Sequence, residues 1–366
     1  MNMRHYSRSM AGNHGMAEMI GAGGETRVHG ARRRIAPYRK HPLFRINVIA
    51  TFCMLMAVIF LLLFSGCDSP HKSPVDAGNG LLGSDKVEAV ALCVTLSGEG
   101  YWILSKSKSG ESTNGGIFPF GDAVYYGHGV GGDDGVVGMA RTLTGKGYWI
   151  LTKNGGIHTY GDAPFKGYCK GRDDDAGAIT ATPSGQGYWI LSRNGGIHNF
   201  GDAVYYGHGG SGADAVSMGV IPSGKGYWIL YKDGGIRVFG GSSGYGDGFP
   251  SHNVVALEVT PTGKGYWILC QGGGVYPYGD AVDLGNEHGV TGEAVDMRVT
   301  PSGQGYWILT LDGSIYTYGD AADYGHWDSD YDAAVLGVTP TGKGYWIVSR
   351  SGGIHNYGDE IGRAHV

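Results

Sequence analysis

Short runs of β-branched and aromatic residues recur along most of the chain, and turn-forming residues separate them. The unit that begins at Val254 shows the pattern, with apolar runs at 254–260, 266–269 and 275–278. Runs this short lack the length and periodicity of helices and predict antiparallel strands joined by tight turns. Several turns before the third run are Asn-Gly or Asp-Gly, which tolerate the positive φ angles of a two-residue hairpin. We therefore predict an all-β structure over residues 87–366.

The motif Gly-Tyr-Trp-Ile occurs seven times and defines a repeat. Its spacing is 39 or 40 residues, except for a first step of 47 that contains the polar insertion Lys106–Thr113. Repeats of about 40 residues with several short strands are typical of β-propeller blades, which form rings of about four to eight. The pattern predicts a seven-bladed β-propeller with blades of about 39–40 residues, and an open β-solenoid is the alternative. The seven tryptophans of the motif are Trp102, Trp149, Trp189, Trp228, Trp267, Trp307 and Trp346.

The second run of each unit, Tyr-Trp-Ile-Leu in most of them, is apolar on both faces. Such a strand fits between two neighbouring sheets better than in a sheet with one face in water. A short fourth strand is expected around Tyr125-Tyr126 and Tyr205-Tyr206. A parallel β-helix would use shorter coils with fewer tight hairpins, which favours the propeller.

The units share the elements Gly-Tyr-Trp-hydrophobic, Asp-Gly-Gly, aromatic-Gly-Asp-Ala and Tyr-Gly over about residues 87–360. The fourth unit departs from the pattern with Gly240-Gly241 in place of Gly-Asp. This repeat resembles tandem units of bacterial secreted and surface proteins, especially those of actinobacteria, where such units often follow cell-wall hydrolase domains. The resemblance implies an accessory interaction module. We therefore expect a non-enzymatic binding or scaffold module for a cell-envelope glycan or protein.

The first 66 residues carry nine basic and two acidic side chains, a net charge of +7, and end in the uncharged apolar run 48–64. A basic segment before an apolar core is typical of a secretory signal. The sequence Leu-Phe-Ser-Gly-Cys that ends at Cys67 resembles the bacterial lipoprotein box, which implies lipidation of Cys67 and a polar tether over 67–86. An uncleaved anchor and plain secretion are the alternatives. All three place residues 87–366 outside the cytoplasm, in the periplasm or at the cell surface.

Charge and composition narrow the class of partner. Residues 67–366 carry 19 basic and 31 acidic side chains, a net charge of −12. Because an acidic surface repels phosphate backbones, we expect no nucleic-acid partner. Glycine is abundant, with 70 of 366 residues, but the absence of a Gly-X-Y period excludes collagen. The expected contacts are an envelope glycan or protein, and the membrane through the N-terminal lipid or anchor.

Positions shared by all units are expected to build the scaffold, whereas positions that differ are free to form a site. We interpret the repeated Trp and Tyr as packing between sheets and the Gly-Asp carboxylates as buried turn acceptors of backbone N–H groups. The recurring histidines, which we interpret as structural, are His158, His198 and His355.

One variable position lies in the first strand, where successive units carry Glu258 and Arg298. The residue before it is always large and apolar, so alternation places the two positions on opposite faces. We predict that the variable position edges a central channel and that Glu258 and Arg298 pair there. The pair would serve either as a structural ion pair or as a ligand contact.

The loops between units are acidic and vary most. Trp327 is the only tryptophan outside the repeated motif, and Tyr324 and His326 lie beside it. We predict a ligand-binding patch at these three residues. The carboxylates that follow alternate like the start of a calcium loop, although the Gly and distal Glu of an EF-hand are absent, and a solvated acidic rim is the alternative. The candidate Ca²⁺ ligands, the only cofactor site that the sequence suggests, are Asp328, Asp330 and Asp332.

Motifs of catalytic sites are missing from the sequence, which contains no nucleophile elbow, no His-Glu-x-x-His and no phosphate-binding loop. A non-enzymatic role is therefore favoured. Two other classes of function stay open, namely a propeller hydrolase or lyase with its site at the channel mouth, and a structural surface-coat protein.

Overall fold

The computed structural model describes eight segments of the chain, all within one unit that spans Pro74–Val366. The signal or anchor segment, Cys67 and the tether 67–86 lie outside the described residues. The eight segments contain no helix able to traverse a bilayer. They comprise residues 87–107, 115–129, 135–169, 175–210, 214–245, 253–285, 289–327 and 332–359.

These segments form 21 strands arranged in chain order as seven antiparallel sheets of three strands, which confirms the all-β prediction and the seven repeats. The first strands of the sheets are β1 (Val87–Val94), β4 (Val136–Arg141), β7 (Ala176–Ala181), β10 (Ala215–Val220), β13 (Val254–Val259), β16 (Ala294–Val299) and β19 (Ala333–Val338). The middle strands are β2 (Gly100–Ser107), β5 (Gly147–Thr152), β8 (Gly187–Ser192), β11 (Gly226–Tyr231), β14 (Gly265–Cys270), β17 (Gly305–Thr310) and β20 (Gly344–Ser349). The third strands are β3 (Gly116–Gly121), β6 (Ile157–Gly161), β9 (Ile197–Gly201), β12 (Ile236–Gly240), β15 (Val275–Gly279), β18 (Ile315–Gly319) and β21 (Ile354–Gly358).

The middle strand pairs with both neighbours in every sheet, and the seven Trp side chains of these strands are at most 1% exposed. Each first strand contains a β-bulge near its start, as between Val254 and Ala256 in β13. A bulge adds one residue to a strand and bends it locally. The alternation of apolar and polar residues gives no sign of this bulge.

The backbones of successive sheets approach each other mainly along their first strands, whereas the backbone of each third strand approaches only the middle strand of its own sheet. Leu257 packs with Trp228 of the preceding sheet, and Met297 packs with Trp267 in the same manner. Glu258, the residue after Leu257, faces the following sheet and accepts a hydrogen bond from Arg298 there. The predicted opposite orientation of the two positions is therefore confirmed.

The first sheet contacts the seventh through the same interactions that join successive sheets. Ala89 N donates to Arg350 O at 3.0 Å, as Ala294 N donates to Gln271 O at 2.8 Å between the fifth and sixth sheets. The rings of Tyr101 and Trp346 lie 5.1 Å apart, also across the boundary between the first and seventh sheets.

The expected fourth strand is absent from the described residues. The segments around Tyr125-Tyr126 and Tyr205-Tyr206 are irregular linkers. Their backbone groups bond to side chains instead of a neighbouring strand, since Tyr126 N donates to Tyr148 Oη at 3.3 Å and Tyr206 N donates to Tyr227 Oη at 3.2 Å. The prediction of a fourth strand, which rested on aromatic composition, is therefore wrong, because tyrosine hydroxyls and not a neighbouring strand bind the backbone of these linkers.

Candidate functional site

The repeated tryptophans and tyrosines fix the linkers between sheets. Tyr188 Oη accepts a hydrogen bond from Lys166 N at 3.2 Å and donates one to Gly167 O at 2.6 Å, so a sheet holds the linker that precedes it. The tryptophans hold the linker that follows, because Nε1 donates to a linker carbonyl at 2.8–3.0 Å in six units. The six pairs are Trp102–Val124, Trp149–Pro164, Trp189–Val204, Trp228–Ser243, Trp267–Val282 and Trp307–Ala322.

The Gly-Asp carboxylates bind side-chain hydroxyl groups of the first turn. Asp162 accepts hydrogen bonds from Thr142 Oγ1 at 2.9 Å and Thr144 Oγ1 at 2.5 Å. The expectation of a buried acceptor of backbone N–H groups is wrong, since these carboxylates are exposed and their donors are hydroxyls. The same arrangement recurs at Asp202, Asp280 and Asp320.

The recurring histidines do not converge on one point. His158, His198 and His355 lie in the third strands of three different sheets, the second, the third and the seventh. Burial lowers the pKa of His158 and of His355 below the usual value for histidine. No group of three His, Cys, Asp or Glu side chains suited to a metal ion occurs among the described residues.

The variable position of the first strands carries an ionic cluster, because Glu258 and Arg298 pair as predicted and Asp296 joins them. Arg298 Nη1 donates to Glu258 Oε1 at 3.0 Å and to Asp296 Oδ1 at 2.8 Å. Asp296 Oδ2 also accepts from Leu336 N of the next sheet at 2.9 Å. The cluster therefore links three successive first strands, β13, β16 and β19.

Burial governs the ionisation of this cluster. It raises the pKa of Glu258 and of Asp296, and the Arg298 guanidinium opposes both shifts. Burial disfavours the charged form of Arg298, but the two carboxylates outweigh it and raise the pKa of the guanidinium. Asp296 has a side chain only 12% exposed and is the most enclosed of the three. Because each carboxylate is bound to the same nitrogen, the geometry favours the structural role of the pair.

Trp327 lies between the sixth and seventh sheets. Its ring stacks on His355 at a centroid distance of 4.1 Å and an interplanar angle of 18°, so His355 covers one face. Its backbone N donates to Gly313 O at 3.2 Å, and the half-buried side chain packs beside Leu336 and Tyr345. Trp327 thus combines a packing role with partial exposure.

The neighbours predicted to share the patch with Trp327 are placed differently. Tyr324 N donates to Tyr345 Oη and its own hydroxyl donates to Gly342 O, so Tyr324 is part of the linker packing. His326 is exposed, and its carbonyl accepts from Tyr357 Oη at 2.6 Å. Asp332 Oδ2 accepts from Ser351 N at 3.0 Å. Asp328 and Asp330 lie outside the described residues, so the calcium site stays a prediction.

Exposed aromatic pairs on the first three linkers are a feature that sequence reasoning missed. Tyr125 is 42% exposed, Phe165 55% and Tyr205 46%. Each contacts the ring three residues later, with centroids 5.7–6.3 Å apart, and each tyrosine hydroxyl bonds to the histidine Nδ1 of its pair. The pairs are Tyr125–His128, Phe165–Tyr168 and Tyr205–His208.

An open groove of about 790 Å³ lies beside the third of these pairs. Strand β9 supplies His198 and Asn199, and the linker supplies Tyr205 and His208. Asn199 Nδ2 donates to Ala203 O at 2.9 Å, and its amide oxygen has no donor among the described residues. The lining contains no Lys, Arg, Asp or Glu. The groove therefore offers aromatic surface with amide, imidazole and phenol groups.

Two sequence signals could have located these features. The aromatic at 125, 165 and 205 occupies one position of the repeat, and this position is Asp283 and Asp323 in later units, so it meets the criterion of a variable position. Asp296 lies two residues before Arg298 in a strand, and residues at this spacing point to the same face.

Comparison with known proteins adds no family to these observations. No protein-family model matches the chain, and no curated protein matches it. The candidate sites therefore rest on the internal repetition of the chain and on the contacts described above.

Proposed function

We propose that the chain is a non-enzymatic binding module for a neutral glycan of the cell envelope, built on a seven-bladed β-propeller and tethered outside the cytoplasm by its N-terminal segment. The observation that carries this proposal is the uncharged, aromatic groove on the third unit. It is lined by His198, Asn199, Tyr205 and His208.

Closure of the seven sheets into a propeller is supported by the contacts between the first and seventh sheets. The hydrogen bond from Ala89 N to Arg350 O and the Tyr101–Trp346 ring contact have counterparts between successive sheets. The first turns behave alike, since Gly98 lies against Pro340 of the seventh unit as Gly263 lies against Pro222 of the unit before it. A ring of this kind would give every sheet two neighbours and bury both faces of every middle strand.

A binding role is supported by the way polar side chains are used. The Gly-Asp carboxylates are bound to hydroxyls, and Glu258, Asp296 and Arg298 are bound to one another. The groove instead presents exposed aromatic surface and the Asn199 amide oxygen, which accepts from no donor among the described residues and is suited to a ligand hydroxyl.

The chemistry of the groove favours a sugar. A pyranose ring has a C–H face that packs on an aromatic ring and a rim of hydroxyls that bond to amide and imidazole groups. The groove volume of about 790 Å³ lies within the range of about 300–1,000 Å³ usual for ligand pockets. Residues 67–366 carry a net charge of −12, which disfavours phosphate-rich or other acidic polymers.

The tether is supported by the sequence alone. A basic segment, an apolar run and Cys67 in a lipoprotein-like context come before the polar stretch 67–86. Such an arrangement would hold the propeller at a membrane surface, within reach of envelope polymers.

A glycan array with the full-length chain in detergent tests this proposal. We expect retention on neutral envelope glycans and weakened retention for Asn199→Ala and Tyr205→Ala. Leu143→Ala is the matched control, because Leu143 is 58% exposed in the first turn of the second unit and is not among the residues that line this groove. Absence of binding to every glycan, or equal binding by the groove variants and the wild type, would refute the proposal.

A further inference from the structure

Three successive units present the same exposed aromatic pair. Tyr125, Phe165 and Tyr205 each follow the linker residue whose carbonyl accepts the tryptophan Nε1 bond of their own sheet. The three residues therefore occupy one position of the repeat. The first strands of these units, β1, β4 and β7, contact one another in order, so the three pairs are presented by adjacent sheets.

The aromatic pairs are confined to one part of the molecule. In the fifth and sixth units the same position is Asp283 and Asp323, whose carboxylates accept from Gly285 N and Gly325 N in tight turns. In the fourth unit it is Gly244. Packing of the repeat does not require an aromatic residue here, because the linkers of these units are held by Trp228, Trp267 and Trp307 without one.

Exposure and charge set these pairs apart from the core. Valines beside two of them are also exposed, Val124 at 55% and Val204 at 49%. Exposed apolar groups that repeat at one position mark an interaction surface more often than isolated ones do. The pairs themselves contain no carboxylate, whereas the equivalent position of the fifth and sixth units is an aspartate.

We propose that the linkers of the first three units form one extended surface for a linear neutral polysaccharide, with one aromatic pair for each of three successive segments of the polymer. This inference rests on the proposed glycan-binding function and adds the class of ligand, a long repetitive chain. A polysaccharide repeats the same sugar along its length, and the surface repeats the same aromatic pair from one unit to the next, so each pair can contact an equivalent segment of the polymer. Engagement of a second and third pair by the same chain raises the effective concentration, so affinity depends on polymer length.

The groove on the third unit would hold one segment most firmly. It adds His198 and Asn199 to the pair Tyr205–His208, whereas the third strand of the first unit carries Phe118 and Pro119 at the equivalent positions. A short oligosaccharide would therefore occupy the groove alone, and only a longer chain would reach the other two pairs.

A length series tests the proposal on the full-length chain in detergent. The probes are chitin, cellulose and mannan oligosaccharides from disaccharide to dodecasaccharide, together with soluble glycol chitin, hydroxyethylcellulose and mannan. We expect the dissociation constant to fall stepwise with length for the probe that binds. Tyr125→Ala and Phe165→Ala should each weaken binding of the polymer about three- to tenfold and leave the disaccharide unaffected, since a ring contact of this kind contributes that much. Tyr205→Ala should weaken both.

Asp283→Ala and Leu143→Ala are the controls and should leave every constant unchanged, with thermal midpoints recorded for all variants. Equal affinity for disaccharide and polymer, or unchanged polymer binding by Tyr125→Ala and Phe165→Ala, would overturn the extended surface and leave the groove as a single site. Failure of every probe to bind would overturn the glycan-binding function itself. Binding of a protein ligand alone at these pairs would also overturn the proposal.

Discussion

Arg298 in β16 donates from Nη1 to Glu258 Oε1 in β13 at 3.0 Å, across a separation of 40 residues. The same nitrogen binds Asp296, whose second oxygen accepts from Leu336 N in β19. Three sheets are therefore joined by polar contacts at a position where other units carry Ala140, Thr180 and other uncharged residues.

Arg298→Ala should destabilise the fold, because it leaves two carboxylates of low exposure without their shared cation. We expect the free energy of unfolding to fall by about 1–3 kcal/mol. This is less than for a fully buried ion pair, since the Arg298 side chain is 35% exposed to solvent. Urea unfolding followed by tryptophan fluorescence measures the change. Arg141→Ala is the matched control, because Arg141 also lies in a first strand and its side chain donates to Thr142 O but pairs with no carboxylate among the described residues. Equal losses for the two variants would contradict the role of the cluster.

Glu258→Gln should flatten the dependence of stability on pH. Since burial raises the pKa of Glu258 in the folded state, the folded protein binds this proton more strongly than the unfolded chain does. The free energy of unfolding therefore falls as the pH rises from 4.5, the usual pKa of glutamate, to the raised pKa of Glu258 in the folded state. Above that pH it levels off. Glutamine removes this contribution while its side-chain oxygen still accepts from Arg298.

Measurement of the urea midpoint between about pH 4 and pH 7 tests this prediction. Asp296 contributes in the same direction, because its pKa is also raised by burial, so a smaller slope should persist in Glu258→Gln. A slope identical to that of the wild type would show that Glu258 does not titrate in this window.

Ring closure predicts a coupling between Tyr101 and Trp346. These rings lie 5.1 Å apart at 57°, and Trp228 and Tyr266 lie 5.2 Å apart at 56° between the fourth and fifth sheets. Double-mutant cycles with leucine at each pair should give similar coupling energies of about 0.5–1.5 kcal/mol. Coupling at the second pair with none at the first would indicate an open array.

Lipidation predicts that Cys67→Ser abolishes incorporation of radioactive palmitate in bacterial cells that express the full chain. Cys53→Ser is the control and should label normally, because Cys53 lies within the apolar run. In the wild type, cleavage before Cys67 removes residues 1–66 and should give a smaller band on a gel. In Cys67→Ser this smaller band should be absent, together with the label. A wild-type chain that carries no label would favour the uncleaved anchor or plain secretion, and labelling that survives Cys67→Ser would place the acylation at another residue.

The repeat made the strands and their number predictable, because Gly-Tyr-Trp-Ile marks every middle strand and its spacing counts the sheets. The missing fourth strand could not be predicted from Tyr125-Tyr126, whose composition is that of a strand. What decides the structure there is that Tyr148 and Trp102 take up the backbone groups of the linker. Those contacts join segments about 20 residues apart and leave no local signature.

The candidate site was predictable only in part. Glu258 and Arg298 were found because they break the repeat at one position, and their contact needs nothing beyond adjacent sheets. The exposed pairs were overlooked because aromatic residues are abundant in this chain, and only the exposed fraction of the side chain in the folded structure separates Tyr125 from the buried Tyr148. The hydroxyl donors of Asp162 were likewise hidden, since Thr142 and Thr144 belong to a turn formed some 20 residues earlier.

The hydrogen bond that joins six of the repeated tryptophans to the following linker has an evolutionary consequence. Trp267 binds Val282 through the main-chain carbonyl, and Trp149 binds Pro164 in the same way, so the identity of the linker side chain is irrelevant to the anchor. Substitution of the exposed linker side chains, such as Tyr125 or Phe165, leaves this anchor in place, so one unit can acquire a new recognition chemistry while its neighbours keep the old one. A gene that duplicates such units would thereby gain surfaces that diversify independently on a constant frame.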